Sequence, residues 1–262
     1  MIPNDHAILL FRFTESRWAD AIIKGQLSFS CAGAFINQAI RSGNTIQGDP
    51  HEAIFARLEK TDHRIQLMEK ALDNDLQIID DGNFVLLRRR SALRIPMFCY
   101  YAYTVEDAIY DCGENAHKGI NTIRHNFDDK MYSGFSENWK SSVIAEDRRS
   151  TLLTIQPEPF VKRISIASAM QGLKLRMKRV DYNSWYNETF FIPPTDEYEE
   201  LFCKQSSYSY QHEGRACLTE VSLASIYDRF TLEIGPLTTG DYKKSFEPLY
   251  FELTANLEVN NG

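Results

Sequence analysis

The chain has 262 residues and carries 29 Lys and Arg against 36 Asp and Glu, a formal net charge of −7. That balance excludes a protein that holds nucleic acid through its overall charge. Hydrophobic residues make up 43% and charged residues 25%, enough for a packed core in one large domain or two small ones.

Aromatic residues reach 12%, with 16 Phe and 13 Tyr, which favours a strand-rich interior. The five cysteines (Cys31, Cys99, Cys112, Cys203, Cys217) are odd in number and form no Cys-x-x-Cys pair. They read as reduced thiols of a cytoplasmic protein rather than a disulfide frame. The six histidines show no metal-ligand spacing. Asp5 and Arg12 flank the first apolar stretch, which lacks the shape of a secretory signal. No run approaches the roughly 20 apolar residues of a membrane span, so no membrane partner is expected.

In chain order, Ala7 to Phe13 is a short apolar run with β character. Thr14 and Ser16 offer cap oxygens to a helix over 15–24, with Trp18, Ala21 and Ile22 on one face and Gly25 as its stop. Gln26 to Ser30 is a second strand; Leu27 and Phe29 alternate with Ser28 and Ser30, which puts both serines on one face. Gly43 to Pro50 is a loop, and His51 to Leu72 predicts a helix with a stripe of Ile54, Leu58, Ile65, Met68 and Leu72. Leu76 to Leu87 is a hairpin turned at Asp81-Gly82. Ile95 to Tyr103 is an aromatic strand, and 113–138 reads as loops and short helices. Thr151 to Ile155 is a strand, and Val161 to Ser168 is either a strand or a helix start. Leu173 to Tyr182 alternates loosely, and Glu197 to Leu201 is a helical turn. Late strands follow at Arg215–Val221, Phe230–Ile234 and Leu249–Leu253. No repeat or low-complexity linker divides the chain, so one α+β domain over 1–262 is the simplest expectation.

Three segments stand out. Phe11-Arg12-Phe13 puts an arginine on a first strand, Leu27-Ser28-Phe29-Ser30 puts serines on a second, and Gln211-His212-Glu213-Gly214-Arg215 places a Gln-x-Glu late in the chain. In this order the segments resemble the Arg–Ser–Glu arrangement of ADP-ribosyltransferases. With Gly25-Gln26 before the serine strand and Phe202-Cys203-Lys204 before the late motif, they resemble more closely a bacterial family of ADP-ribosyltransferase-like proteins. That family is associated with phage defence and toxin–antitoxin loci, and includes mRNA-modifying toxins. The likeness covers most of the chain in order through short motifs.

The resemblance implies a split, mainly antiparallel β-sheet with flanking helices and NAD as substrate. An enzyme that splits the nicotinamide–ribose bond stabilises an oxocarbenium-like ribosyl cation, which a carboxylate beside the ribose can offset. Glu213 is the carboxylate implied. Gln211, two positions earlier and on the same strand face, would orient the acceptor. Arg12 would hold the diphosphate through its planar fork. Ser30 or Ser28 would brace the site. Two features depart from the best-known toxins. The second strand lacks a Ser-Thr-Ser triplet, and the late motif is Gln-x-Glu, which in the superfamily accompanies asparagine or nucleobase modification rather than arginine modification. The implied role is a cytoplasmic toxin or phage-defence effector that transfers ADP-ribose to a macromolecule, with RNA favoured. A non-catalytic binding module on the same fold and an NAD glycohydrolase are the alternatives.

Other features bear on partners. Arg88-Arg89-Arg90 and the block Lys162, Arg163, Lys174, Arg176, Lys178, Arg179 read as a phosphate-binding surface for RNA or DNA, as a solvated face, or as a dock for an acidic antitoxin. Tyr101, within Tyr100-Tyr101-Ala102-Tyr103, could stack on nicotinamide, adenine or an RNA base, or simply pack in a sheet. Gly48-Asp49-Pro50-His51-Glu52 reads as an active-site loop or a plain turn before a helix. No dinucleotide-binding glycine motif, P-loop or Gly-x-Ser-x-Gly elbow is present.

Overall fold

The computed structural model describes residues 6–42, 48–113, 119–128, 130, 144–184, 188–246 and 250–257. Positions 43–47 of the expected early loop, much of the 113–138 stretch and residue 249 of the last expected strand lie outside them. The fold is α+β, with mostly antiparallel sheets and flanking helices. Among the described residues no helix is long and apolar enough to cross a membrane.

The chain forms two compact units, each built from separated segments. The first comprises 1–26, 100–164 and 234–262; the second comprises 27–99 and 165–233. Strand β6 (Pro96–Thr104) and helix α5 (Pro157–Met170) each give residues to both.

In the first unit, β1 (Ala7–Glu15) runs antiparallel to β6, with Phe11 opposite Tyr101, and to β8 (Ser150–Ile155), with Arg12 opposite Leu153. Strand β15 (Tyr242–Ser245) extends the sheet beyond β8. Strands β7 (Gly119–Asn126) and β16 (Tyr250–Leu257) pair antiparallel along their whole length. The core is aromatic: Phe11, Phe13, Tyr101, Tyr103 and Phe127 are buried, and Phe251 packs against them. Phe11 meets Phe127 edge-on at 5.2 Å between centroids, a favoured quadrupole arrangement. Each such ring contributes about 1.5–3 kcal/mol through burial alone.

Helix α1 (Ser16–Ile23) begins as expected but is capped differently. Its N-cap is Glu15, with no side-chain cap bond; instead the Ser16 N–H donates to the Arg149 carbonyl at 2.8 Å. The chain itself thus satisfies a donor that Thr14 or Ser16 was expected to meet. The buried face is Ser16, Ala19 and Ile22, while Trp18 is 49% exposed with the Arg17 guanidinium 5.0 Å from its ring centroid. Gly25 ends this segment at φ +90°, and a Cβ there would stand 2.3 Å from the Gly235 carbonyl carbon and oxygen. Helix α4 (Val105–Cys112) starts on a capping box between Thr104 and Asp107.

In the second unit, β2 (Gln26–Cys31) pairs with the start of β6, Ser30 opposite Met97. Leu27 and Phe29 are buried while Ser28 and Ser30 are half-buried, the alternation the sequence predicts. Strand β14 (Phe230–Glu233) lies on the far side of β2, β13 (Glu213–Leu218) pairs with β6, and β9 (Leu175–Arg179) pairs with β13. Helix α2 (Ala32–Ser42) follows β2.

A second sheet contains β3 (Ile54–Glu59), the hairpin β4 (Leu76–Asp81) and β5 (Phe84–Arg89), and the two-residue β11 (Phe190–Phe191). The hairpin is where the sequence placed it, but the linking pair is Gly82-Asn83, because Asp81 and Phe84 face each other as the last ladder pair. Strand β10 (Asp181–Asn183) runs parallel to β12 (Cys203–Gln205).

The expected helix over 51–72 divides into β3 and a shorter helix α3 (Arg64–Leu72). Ile54, Phe55, Ala56 and Leu58 are all fully buried and Arg57 is nearly so, so β3 is buried on both faces and shows no alternation of buried and exposed positions. The ambiguous Val161–Ser168 segment is helix α5, with Phe160, Ile164 and Ala167 on its buried face.

Candidate functional site

The second unit buries a cluster of charges beneath the Gln-x-Glu motif. Residues 48–53 supply its first part. Gly48 packs so closely on α2 that a Cβ would meet the Phe35 carbonyl oxygen at 2.5 Å and the Ala39 nitrogen at 2.6 Å. Asp49 Oδ1 accepts the His51 N–H at 2.8 Å, a local Asx turn, and Glu52 follows before β3. The loop therefore leads into a strand, not the expected helix, and Asp49 and Glu52 are each 1% exposed.

Strands β12 and β13 supply the rest. Lys204 on β12 donates to Glu213 Oε2 at 2.7 Å and to Gln211 Oε1 at 2.8 Å, and its ammonium forms an ion pair with Glu52 Oε1 at 3.2 Å. Arg215 is fully buried on β13. Its Nε donates to Glu213 Oε1 at 2.6 Å, one terminal nitrogen donates to Glu52 Oε1 at 2.9 Å and the other to the Leu201 carbonyl. Glu213 also donates its backbone N–H to the Tyr182 hydroxyl at 2.8 Å. Two carboxylates and two cations thus neutralise one another in the interior, the condition under which buried charge is tolerated.

The electrostatics follow from this pairing. Burial alone would raise the Glu213 carboxyl, but Arg215 and Lys204 outweigh it and hold the group well below the usual carboxylate range. Burial would lower Lys204, and Glu213 and Glu52 reverse that, so it stays an ammonium. Asp49 is different. Burial and then the Glu52 charge push it up to about 6, with Lys204 and Arg215 offsetting only part. Arg88 is lowered by burial to about 10 although Glu52 and Asp49 act the other way. The Tyr182 phenol is raised by burial and by Glu213.

The sequence-derived residues fall as follows. Gln211 and Glu213 meet on the same ammonium, but not as two positions of one strand. Gln211 ends a 3₁₀ turn (Ser206–Gln211), His212 takes a left-handed conformation at φ 40°, and β13 begins at Glu213. Ser28 and Ser30 lie on β2, which pairs with β6 in the same sheet as β13. The Ser30 hydroxyl oxygen is buried without a hydrogen-bond partner. Arg12 and Tyr101 belong to the first unit. Arg12 is half-buried on β1. Tyr101 is 5% exposed in the aromatic core, with its hydroxyl 3.0 Å from His125 Nε2.

Asp49, Glu52, Lys204 and Arg215 had not been assigned roles from the sequence, although each lies in a segment that stood out. Their signal was the Gly48–Glu52 turn and the Phe-x-Lys preceding Glu-x-Arg.

The basic segments are largely engaged within the chain. Arg89 pairs with Glu200 at 2.6 Å with both buried, and Arg88 donates to the Pro50 carbonyl at 2.8 Å. Lys174 pairs with Glu197, Arg176 with Glu197 and Glu199, and Lys178 with Asp181 and Glu199. Arg163 lies 3.5 Å from Asp241.

No family model matches this sequence, and neither the curated proteins nor the solved structures contain a match.

Proposed function

We propose that this protein is an NAD-dependent ADP-ribosyltransferase whose reacting centre lies at Glu213 and Gln211. The observation that carries the reading is the meeting of Glu213 and Gln211 on the Lys204 ammonium. The Glu213 carboxylate is kept ionised in a buried setting by Lys204 and Arg215, and the Gln211 side chain is drawn to the same ammonium. A fixed negative charge of this kind is what a ribosyl cation requires as the nicotinamide bond breaks. The neighbouring amide oxygen can receive a proton donor of an acceptor group. Arg12 and Tyr101 carry no part of this proposal, being residues of the other unit.

Gln211, standing where arginine-specific enzymes carry a glutamate, supports an asparagine or nucleobase acceptor, of which this reading takes the nucleobase. The ion pairs along β9 leave that preference resting on Gln211 rather than on the basic block. Nicotinamide release from NAD by the purified chain, compared with Glu213→Gln, tests the reading: release that disappears in the variant supports it, and equal release from both refutes it.

A binding module is the second reading, and one observation favours it. Both Glu213 oxygens are already hydrogen-bonded within the chain, as suits a structural anchor.

A further inference from the structure

Asp49 Oδ2, Glu52 Oε2 and Arg88 Nε are among the polar atoms of the second unit that are buried without a hydrogen-bond partner. Their residues are 1%, 1% and 3% exposed. The Glu52 N–H donates to the Asp49 carbonyl at 3.3 Å and Arg88 donates to the Pro50 carbonyl between them at 2.8 Å, so the three share one neighbourhood. Their remaining contacts hold them in place. Asp49 Oδ1 accepts from His51, Glu52 Oε1 accepts from Arg215 and pairs with the Lys204 ammonium, and an Arg88 terminal nitrogen donates to Pro50. The loop carrying the two acids is fixed by the close packing of Gly48 and by Ala53 at φ 60°, a conformation costly for a residue with a side chain.

Two acceptors and one donor of this loop neighbourhood are therefore left unmet while the other polar atoms of the same side chains are committed. Each costs about 1–3 kcal/mol if left unmet, more for charged groups. The chemistry of the set narrows what can meet it. A metal ion is a poor guest, because no group of three His, Cys, Asp or Glu residues comes together among the described residues and a guanidinium stands beside the two acids. A phosphate would be repelled by two carboxylates. An ammonium would answer the acids but leave the Arg88 Nε–H unmet. Hydroxyl groups both donate and accept. Two adjacent hydroxyls can give their protons to Asp49 Oδ2 and Glu52 Oε2 while one accepts from Arg88 Nε.

We propose that Asp49, Glu52 and Arg88 form a hydroxyl-binding seat that takes the vicinal diol of a ribose. The choice of ribose rests on the NAD reading above. Glu52 shares both its cationic partners, Lys204 and Arg215, with Glu213, so the seat adjoins the carboxylate assigned to the reacting centre. The diol is that of the ribose bearing the bond to be broken.

The test is calorimetric titration of the full chain with ADP-ribose and with its analogue lacking the 2′- and 3′-hydroxyls of the terminal ribose. The unmodified chain needs no variant to fold, which keeps the result interpretable. Loss of hydrogen bonds to charged groups predicts that the dideoxy analogue binds about ten- to a hundredfold more weakly. In Asp49→Asn, where Glu52 and Arg88 still meet the diol, the preference between the two ligands falls by about three- to tenfold. Equal affinity of the unmodified chain for both ligands overturns the seat and assigns the orphaned atoms to ordered water. Diol-dependent binding without nicotinamide release keeps the seat and removes the transferase reading. Release of nicotinamide with equal binding of the two ligands does the reverse. Binding of neither ligand overturns the seat.

Discussion

Asp49 offers the sharpest energetic test of the buried cluster. In the unfolded chain its carboxyl has the ordinary value of 3.8, and in the folded chain burial and Glu52 push it up to about 6. Between these values the folded state binds more protons than the unfolded state, so stability falls as pH rises. The contribution of the protonated form is fully present below the unfolded value and is lost as pH passes through about 6. The shift of roughly two units corresponds to about 3 kcal/mol of destabilisation once the carboxylate is fully charged.

Asp49→Asn removes the charge while keeping the oxygen that accepts the His51 N–H. The variant is therefore more stable than the unmodified chain at about pH 8, by up to about 3 kcal/mol, and the two converge near pH 4. Urea unfolding followed by circular dichroism across this range reads the difference directly. A gap independent of pH, or a variant less stable at both ends, refutes the reasoning. A residue that costs stability in this way fits one retained for binding rather than for folding.

Other substitutions test the frame around it. Lys204→Met leaves Glu52 and Glu213 buried with Arg215 alone, and destabilises the protein by about 3–5 kcal/mol in urea titrations at neutral pH. Gly25→Ala forces a side chain into φ +90° and onto the Gly235 backbone, and lowers the thermal midpoint by more than an ordinary surface change; an unchanged midpoint contradicts the described contact. Tyr101→Phe removes only the hydroxyl that meets His125, and costs about 1 kcal/mol in the same unfolding assay.

The sequence disclosed the elements whose periodicity was simple. Strand β2 alternates cleanly because one of its faces is fully buried and the other only partly, and the β4–β5 hairpin carries a glycine at φ 67° in its turn. Strand β3 was hidden because a strand buried on both faces has no period of two, and its apolar residues fell by chance into a helical stripe with those of α3. Helix α1 misled differently. Trp18 is the largest apolar residue of its segment, yet the sheet packs on Ala19 and Ile22.

The site was legible in part. Gln211 and Glu213 could be picked out by spacing, but the reason they meet is Lys204, which neither strand alternation nor charge counting singles out. Glu52 joins Arg215 across 163 positions of sequence. Nothing local marks that pairing, because a buried ion pair is fixed by the fold rather than by neighbours in the chain. The basic block showed the converse limit: its partners Glu197 and Glu199 were visible as surplus acid, but not as the acid that lies along β9.

The most direct measurement of the central claim is transfer of label from NAD into macromolecules of a cell lysate by the unmodified chain, Glu213→Gln and Gln211→Ala. The account predicts label that requires Glu213, falls in Gln211→Ala by more than nicotinamide release does, and is removed by nuclease rather than protease. Label that persists undiminished in a folded Glu213→Gln variant, or no label and no nicotinamide release from the unmodified chain, would contradict it.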